Sequence, residues 1–192
     1  MIQKIVDALM NKQSQNCVIS HDDEKIYRYG YVLLCEVVLN IIIAFAIGIF
    51  FSKMKEVSFF LGMYIPLRSF CGGWHANKIW KCTVISNIIL LLQVYGIEKI
   101  IMHLSIKEML LTLFLNMVCI YFIAPVETEM KKISLDERKI YIRKIRFIFI
   151  FHVIIVIISV RFDIAEFVYS TMYVYIVQNI LLLMEIIKQN KI

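Results

Sequence analysis

Six long apolar runs occupy most of this 192-residue chain and restrict it to a membrane-embedded helical fold. A straight helix needs about 20 residues to cross the hydrocarbon core of a bilayer. The runs cover residues 29–52, 57–71, 79–97, 107–124, 147–160 and 164–187. The composition, with 60% hydrophobic residues and only two prolines, is typical of an integral membrane protein. We therefore predict one all-α integral membrane domain over residues 1–192.

The second and fifth runs are shorter than a perpendicular span. They predict local thinning of the bilayer, packing inside the bundle or a re-entrant course. Pro66 in the second run cannot donate a backbone hydrogen bond, so a kink or half-helix is expected there. The prediction is a bundle of about six transmembrane helices, two of them short. An amphipathic interfacial helix at residues 1–9 precedes the bundle, within a polar cytoplasmic segment at 1–28.

Basic residues orient the predicted spans. With the N-terminus inside, most of the 21 lysines and arginines fall on the cytoplasmic side. Seven of them lie in a predicted basic cytoplasmic loop at 126–146. The positive-inside rule favours this orientation, which also places the C-terminus in the cytoplasm. The net charge of +6 is explained by this topology and needs no nucleic-acid partner.

The polar gap between the second and third runs, residues 68–82, carries side chains suited to covalent chemistry. His75 follows the glycine pair Gly72–Gly73, and Cys82 lies seven residues further on. An imidazole can remove the proton of a thiol, and the resulting thiolate attacks carbonyl carbons. On one unbroken helix the two residues would lie about 10.5 Å apart along the axis. We therefore predict a bend over 72–77 and a new helix with Cys82 in its first turns.

The same residues also have plain structural interpretations. A cysteine in an apolar run usually fills a core, and a histidine at a membrane edge usually lies at the interface. Cys71, His75 and Cys82 could ligate a metal ion, but a fourth ligand is missing and the spacing matches no strong zinc pattern. We predict no metal and no cofactor. Arg68 is either an interfacial anchor or a clamp for a substrate carboxylate. Ser86, one turn beyond the cysteine, either packs between helices or orients the histidine.

Glu36 is an ionisable residue inside the first apolar run. Such residues are candidates for function, because a charge in the hydrocarbon region is costly. Glu36 is also only six residues past Gly30, so it could reach the interface or pair with Arg28. The sequence leaves both interpretations open.

The motif around the glycine pair resembles the signature of the accessory gene regulator B (AgrB) family, the quorum-sensing membrane endopeptidases of Gram-positive bacteria. The residues that carry the resemblance are Arg68, Cys71-Gly72-Gly73-Trp74-His75-Ala76, Cys82 and Ser86, together with Tyr29-Gly30 and Ala124-Pro125-Val126-Glu127. Residue 71 is a cysteine here, where a small residue such as alanine is expected. The resemblance covers most of the chain.

The resemblance implies that His75 and Cys82 form a catalytic dyad acting on a propeptide with an amphipathic leader and an acidic C-terminal tail. Cys82 would form a thioester on releasing the tail, and a cysteine or serine of the propeptide would then close a thiolactone or lactone ring. The resemblance also implies a homodimer in the bacterial cell membrane, with the active site on the cytoplasmic side. Backbone N–H groups near Gly72 and Gly73, or at the start of the helix that carries Cys82, are candidates for stabilising the oxyanion.

The basic segment has two interpretations in this context. It can set the topology and bind anionic lipid. Alternatively, its cations attract the acidic propeptide tail. The candidates for tail binding are Lys131, Lys132, Arg143, Lys144 and Arg146.

Two other classes of protein compete with an endopeptidase. A peptide transporter or channel without covalent chemistry would carry internal repeats and charged residues at mid-membrane. The sequence shows no convincing repeat, and the deep polar candidates are Glu36 and His152. A noncatalytic membrane scaffold would tolerate replacement of Cys82 by alanine.

Overall fold

A computed structural model describes residues 6–8, 10, 24–74, 76, 79–101, 103–127 and 133–190. Over these residues the chain forms helices α1 (Glu24–Phe50), α2 (Met54–Cys71), α3 (Ile79–Ile101), α4 (Ile106–Ile123), α5 (Leu135–Arg161) and α6 (Ala165–Gln189). Sheet pairing in the same residues is limited to an isolated bridge between Gly72 and Val126. The prediction of an all-helical fold is confirmed.

Four of the helices are long and apolar enough to cross a membrane. The qualifying segments are Gly30–Phe50 in α1, Trp80–Ile97 in α3, Ile106–Ile123 in α4 and Ala165–Gln189 in α6. Helices α2 and α5 correspond to the two runs that were predicted to be short, and six spans stay a prediction. Helix α2 continues through Pro66 to its end at Cys71.

The predicted basic loop at 126–146 is wrong for its second half, which is helical. Helix α5 begins at Leu135, because the Ser134 hydroxyl accepts a hydrogen bond from the Glu137 N–H and the Glu137 carboxylate accepts one from the Ser134 N–H at 2.9 Å. This reciprocal pair is a capping box, which starts helices. The density of charge suggested a loop, but the Ser-x-x-Glu spacing outweighs it. The basic residues of 135–146 therefore project from a rigid helix.

Helix α6 lies at the centre of the bundle and packs against α2, α3, α4 and α5. Its spanning segment is 67% buried, against 17–28% for the other three candidate spans. Polar side chains join it to its neighbours: Asn179 donates to the side chain of Asn116 on α4 at 2.7 Å, and Tyr175 pairs with His152 of α5 at 3.1 Å. His152 is thus a packed, hydrogen-bonded residue of the bundle interior.

Gly96 of α3 leaves room for the side chain of Tyr169 from α6. A Cβ atom added there would overlap the hydroxyl of Tyr169. That hydroxyl is buried and has no hydrogen-bond partner within the part of the chain that the structure describes. Close helix approach at a small residue is common in membrane bundles, where packing is the main cohesive force.

The outward faces of α1, α3, α4 and α5 are apolar. Large exposed hydrophobic side chains on these faces include Ile42, Ile49, Leu92, Phe114, Phe122 and Ile157. A surface of this kind is stable against lipid chains but not against water. The fold therefore fits a bilayer-embedded protein.

The predicted N-terminal amphipathic helix lies largely outside the described residues. Within it the structure describes residues 6–8 and 10, which are helical. Val6 and Met10 are buried, and Asp7 forms an ion pair with Arg28 of α1 at 2.5 Å.

Candidate functional site

A sharp bend separates α2 from α3, as the spacing of the two candidate catalytic residues requires. Helix α2 ends at Cys71, and α3 begins at Ile79. Gly72 and Gly73 have φ angles of 74° and 114°, in the left-handed region that favours glycine. A Cβ atom on Gly72 would overlap the Val126 carbonyl oxygen. The predicted bend is confirmed, and glycine is required at its start.

The guanidinium group of Arg68 fastens this bend from the last turn of α2. It donates hydrogen bonds to the carbonyl oxygens of Gly72 at 2.5 Å, Gly73 at 3.3 Å and Trp74. Gln178 of α6 donates to the same Gly72 oxygen at 2.9 Å. The sequence suggested an anchor or a substrate clamp for Arg68, whereas the structure shows a brace for the backbone of the bend.

Backbone hydrogen bonds attach the same bend to two other parts of the bundle. The Val126 N–H donates to the Cys71 carbonyl at 3.0 Å, and the Trp74 N–H donates to the Leu181 carbonyl of α6 at 2.8 Å. The Gly72 N–H donates to the Arg68 carbonyl at 3.3 Å. The N–H groups of Gly72 and Trp74, near the predicted oxyanion position, therefore already donate hydrogen bonds to backbone carbonyls.

Cys82 is the fourth residue of α3 and lies on the wall of a cavity of about 190 Å³. The cavity lies between α1, α2 and α3, and its lining is mainly apolar. Three other predicted site residues line it, namely Glu36, Arg68 and Ser86. The structure thus brings four of the predicted residues together around one space. His75 lies outside the described residues.

The bend folds back onto the first turn of α3. The backbone N–H of Ala76 and the Arg68 guanidinium both lie near enough to the sulfur of Cys82 to act on it electrostatically. Ala76 follows His75 directly in the sequence. A residue six positions upstream of the thiol is therefore close to it, which an unbroken helix would not allow.

The carboxyl group of Glu36 is the acidic neighbour of the Cys82 thiol: both residues line the cavity, and the carboxyl group acts on the sulfur through its charge. Glu36 is 7% exposed, and its Oε1 atom has no hydrogen-bond partner among the described residues. Arg28 pairs with Asp7 instead. The explanation of Glu36 as the partner of Arg28 is therefore wrong, and its position at the membrane interface stays a prediction.

The surroundings of Glu36 could not be predicted from the sequence, because they depend on how α1 packs against α3. Glu36 and Asn40 are four residues apart, so they share one face of α1. Both line the cavity. That spacing was visible in the sequence, but it does not show which helix the face meets. Only the assembled bundle places this face opposite Cys82.

The basic candidates for tail binding differ in their surroundings. Lys144 lies over the ring of Phe70, 4.6 Å from its centroid, and Arg146 lies 5.7 Å from the centroid of Tyr121. These cation–π contacts join α5 to the ends of α2 and α4 nearest the bend. Arg143 is exposed on α5. The other two candidates, Lys131 and Lys132, lie outside the described residues.

An apolar outer surface, four candidate membrane spans and a cavity lined by a thiol define a helical membrane protein with a candidate reaction site between its helices. Comparison with known families then identifies the family. The family model described as accessory gene regulator B (AgrB) matches residues 2–188, so the chain belongs to the AgrB family. This confirms the resemblance found in the sequence and supports a role in agr quorum-sensing peptide processing.

Two curated relatives agree with this family. A protein of Clostridium perfringens strain SM101, named as AgrB-like, is 26% identical over 153 residues, which are 75% of this chain and 70% of that protein. A second AgrB-like protein, from C. perfringens strain 13, is 27% identical over 151 residues with the same two shares. No solved structure matches this chain.

Proposed function

We propose that this protein is a membrane cysteine endopeptidase that releases the acidic C-terminal tail of a quorum-sensing propeptide and cyclises the remainder. Cys82 is the nucleophile and His75 the general base. The observation that carries the proposal is the cavity-lining Cys82 sulfur with the backbone of Ala76 folded against it. Membership of the AgrB family supports the same chemistry.

The first step of the proposed reaction releases the tail. His75 takes the thiol proton of Cys82, and the sulfur attacks the carbonyl carbon of the peptide bond that precedes the tail. The carbon–nitrogen bond breaks, His75 gives its proton to the departing amine, and a thioester joins the propeptide to Cys82. The sulfur lies one turn from the N-terminus of α3, where the helix dipole favours developing negative charge.

The second step closes the ring. A cysteine or serine side chain of the bound propeptide attacks the thioester carbonyl, and Cys82 leaves as the thiol. Water competes for the same carbonyl, so the site must hold the internal nucleophile close and exclude solvent. The mainly apolar lining of the cavity suits both demands.

Hydrogen bonds to the backbone of residues 72–74 hold the bend at this site in place. Arg68 and Gln178 hold the carbonyl oxygens of residues 72–74, and Leu181 holds the Trp74 N–H. Catalytic groups on a fixed backbone need little reorganisation during the reaction, which lowers the barrier. The segment that leads to His75 is therefore preorganised by contacts from α2 and α6.

We also propose that α2 and α5 complete six crossings, with both termini and the Cys82 cavity on the cytoplasmic side. The asymmetry of basic residues supports this orientation. The first turns of α5 then present Arg143 to the cytoplasm close to the bend, where the charge attracts an acidic tail. Tail affinity should fall as salt is raised.

Reconstitution of the purified protein in liposomes tests the proposal. The substrate is a synthetic propeptide with an amphipathic leader, an internal cysteine and an acidic tail. Mass spectrometry should detect free tail, cyclic product and a thioester on Cys82. Cys82→Ser and His75→Ala should abolish tail release, whereas Cys119→Ser should not, because Cys119 is exposed on α4 away from the cavity. Tail release that survives in Cys82→Ser would contradict the proposal.

A further inference from the structure

Among the described residues, Glu36 is the one whose position the packing and the proposed function explain least. It projects from α1 into the cavity that holds Cys82, it is 7% exposed, and it interacts with the thiol. Among the described residues that line the cavity, it is the only one with a carboxyl group. Glu36 therefore brings a proton-accepting group to the atom on which the proposed chemistry takes place.

A structural role does not account for this carboxyl group. Burying an unpaired carboxyl group costs several kcal/mol, which proteins usually offset with hydrogen bonds or a cation. Here Oε1 has no hydrogen-bond partner in the described parts of the chain, and Arg68, the nearby cation, donates to the carbonyls of the bend. A glutamine or a leucine would fill the same space at lower cost. The carboxyl group at this position calls for a chemical explanation.

Ring closure requires a further proton transfer at the same sulfur. The attacking thiol or hydroxyl of the propeptide must lose a proton, and the Cys82 sulfur must regain one as it leaves. His75 gives its proton to the tail amine in the first step, so it is neutral again and is one group that could carry this proton. A carboxyl group at the Cys82 sulfur can carry the second proton, because it accepts when ionised and donates when neutral. Arg68 cannot, since a guanidinium stays protonated.

We propose that Glu36 is a catalytic residue of the ring-closing step, an inference that rests on the function proposed above. The Glu36 carboxylate accepts the proton of the attacking group as the new bond to the acyl carbon forms. The bond between that carbon and Cys82 Sγ then breaks, and the carboxyl group returns the proton to the sulfur. Cys82 ends as a thiol and Glu36 as a carboxylate, so no co-reactant is consumed.

The experiment separates the two steps in liposomes that contain the full-length protein. Two synthetic propeptides, each with an amphipathic leader and an acidic tail, carry either cysteine or serine as the ring-closing residue. In Glu36→Gln we expect ring closure to slow about 100-fold, the low end of general acid–base effects, and to slow by a much larger factor than single-turnover tail release. The thioester on Cys82 should accumulate and hydrolyse to linear peptide.

The serine propeptide provides a second readout. A hydroxyl is a much weaker acid than a thiol, so it depends more on a base, and the loss in Glu36→Gln should be larger with serine than with cysteine. Glu36→Asp keeps the carboxyl group and should recover part of the ring closure. A role in packing alone would not distinguish the two nucleophiles or favour aspartate over glutamine.

Glu185→Gln is the matched control, because Glu185 is 2% exposed on α6 and does not line the cavity. It should leave the ratio of cyclic to linear product unchanged. An equal slowing of both steps in Glu36→Gln, or a product ratio equal to that of the control, would overturn the assignment. Failure of the wild-type protein to release the tail would instead refute the proposed function, and the assignment with it.

Discussion

Replacing Gly72 by alanine should disrupt the bend between α2 and α3. The backbone at Gly72 has φ 74° and ψ −151°, a conformation that is essentially restricted to glycine. A methyl group there would also overlap the carbonyl oxygen of Val126. The strain alone costs about 1–3 kcal/mol.

The contacts that depend on this backbone add to the loss. A displaced Gly72 weakens the hydrogen bond from the Val126 N–H to the Cys71 carbonyl and the one from Gln178 to the Gly72 oxygen. Each is worth about 0.5–1.5 kcal/mol. The sum of the smallest values is about 2 kcal/mol, which for a chain of this size lowers the melting temperature by about 4–8 °C.

Thermal unfolding in detergent, with hydrogen exchange over residues 69–74 and 124–127, measures the effect. Gly62→Ala is the matched control, because a Cβ at Gly62 meets nothing within 4 Å and alanine favours an α-helix by up to about 1 kcal/mol. Gly72→Ala should melt at least about 4 °C below the control and exchange faster in both segments. Equal melting temperatures and equal exchange would refute the argument from backbone strain.

Three further changes test other contacts. Gly96→Ala should destabilise the protein by crowding the Tyr169 hydroxyl. Adding Tyr169→Phe should restore most of the lost stability, so a double-mutant cycle should show coupling between the two positions. Additive effects on the free energy of unfolding would contradict this. Arg68→Lys keeps the charge, but a lysine cannot hydrogen-bond to three backbone carbonyls at once. Amide hydrogen exchange over residues 72–74 should therefore become faster, and tail release should slow about tenfold or more. Exchange at the wild-type rate would count against this role of Arg68. Ser134→Ala removes a helix cap worth about 1 kcal/mol and should lower the melting temperature by about 2–4 °C; no change would mean that the cap adds no stability.

The apolar runs predicted the helices well, because hydrophobic length directly reflects the thickness of the bilayer. The structure extends the fifth run into a helix that begins at Leu135, since a local hydrogen-bonded cap decides a helix start more strongly than charge density. The bend between α2 and α3 was also predictable. Two glycines and the chemical need for proximity both pointed to it.

The contacts within the site were harder to predict, because they join distant parts of the chain. Arg68 reaches the carbonyls of its own C-terminal bend, and Glu36 meets Cys82 only after α1 packs against α3. Spacing along one helix reports which residues share a face, but not what that face contacts. The predicted roles of His75, Lys131 and Lys132 lie outside the described residues and stay predictions.

The volume of the cavity constrains how a peptide reaches Cys82. About 190 Å³ is little more than the roughly 150 Å³ of an engineered cavity that binds benzene, so one or two side chains fill it and a folded-back peptide loop does not fit. The loop can gain room if one wall moves. Helix α1 packs mainly against α2 and α3 and turns its other side to lipid, whereas α2 and α3 are also held by α6. That unequal bracing makes α1 the wall of the cavity with the fewest helix contacts to hold it in place.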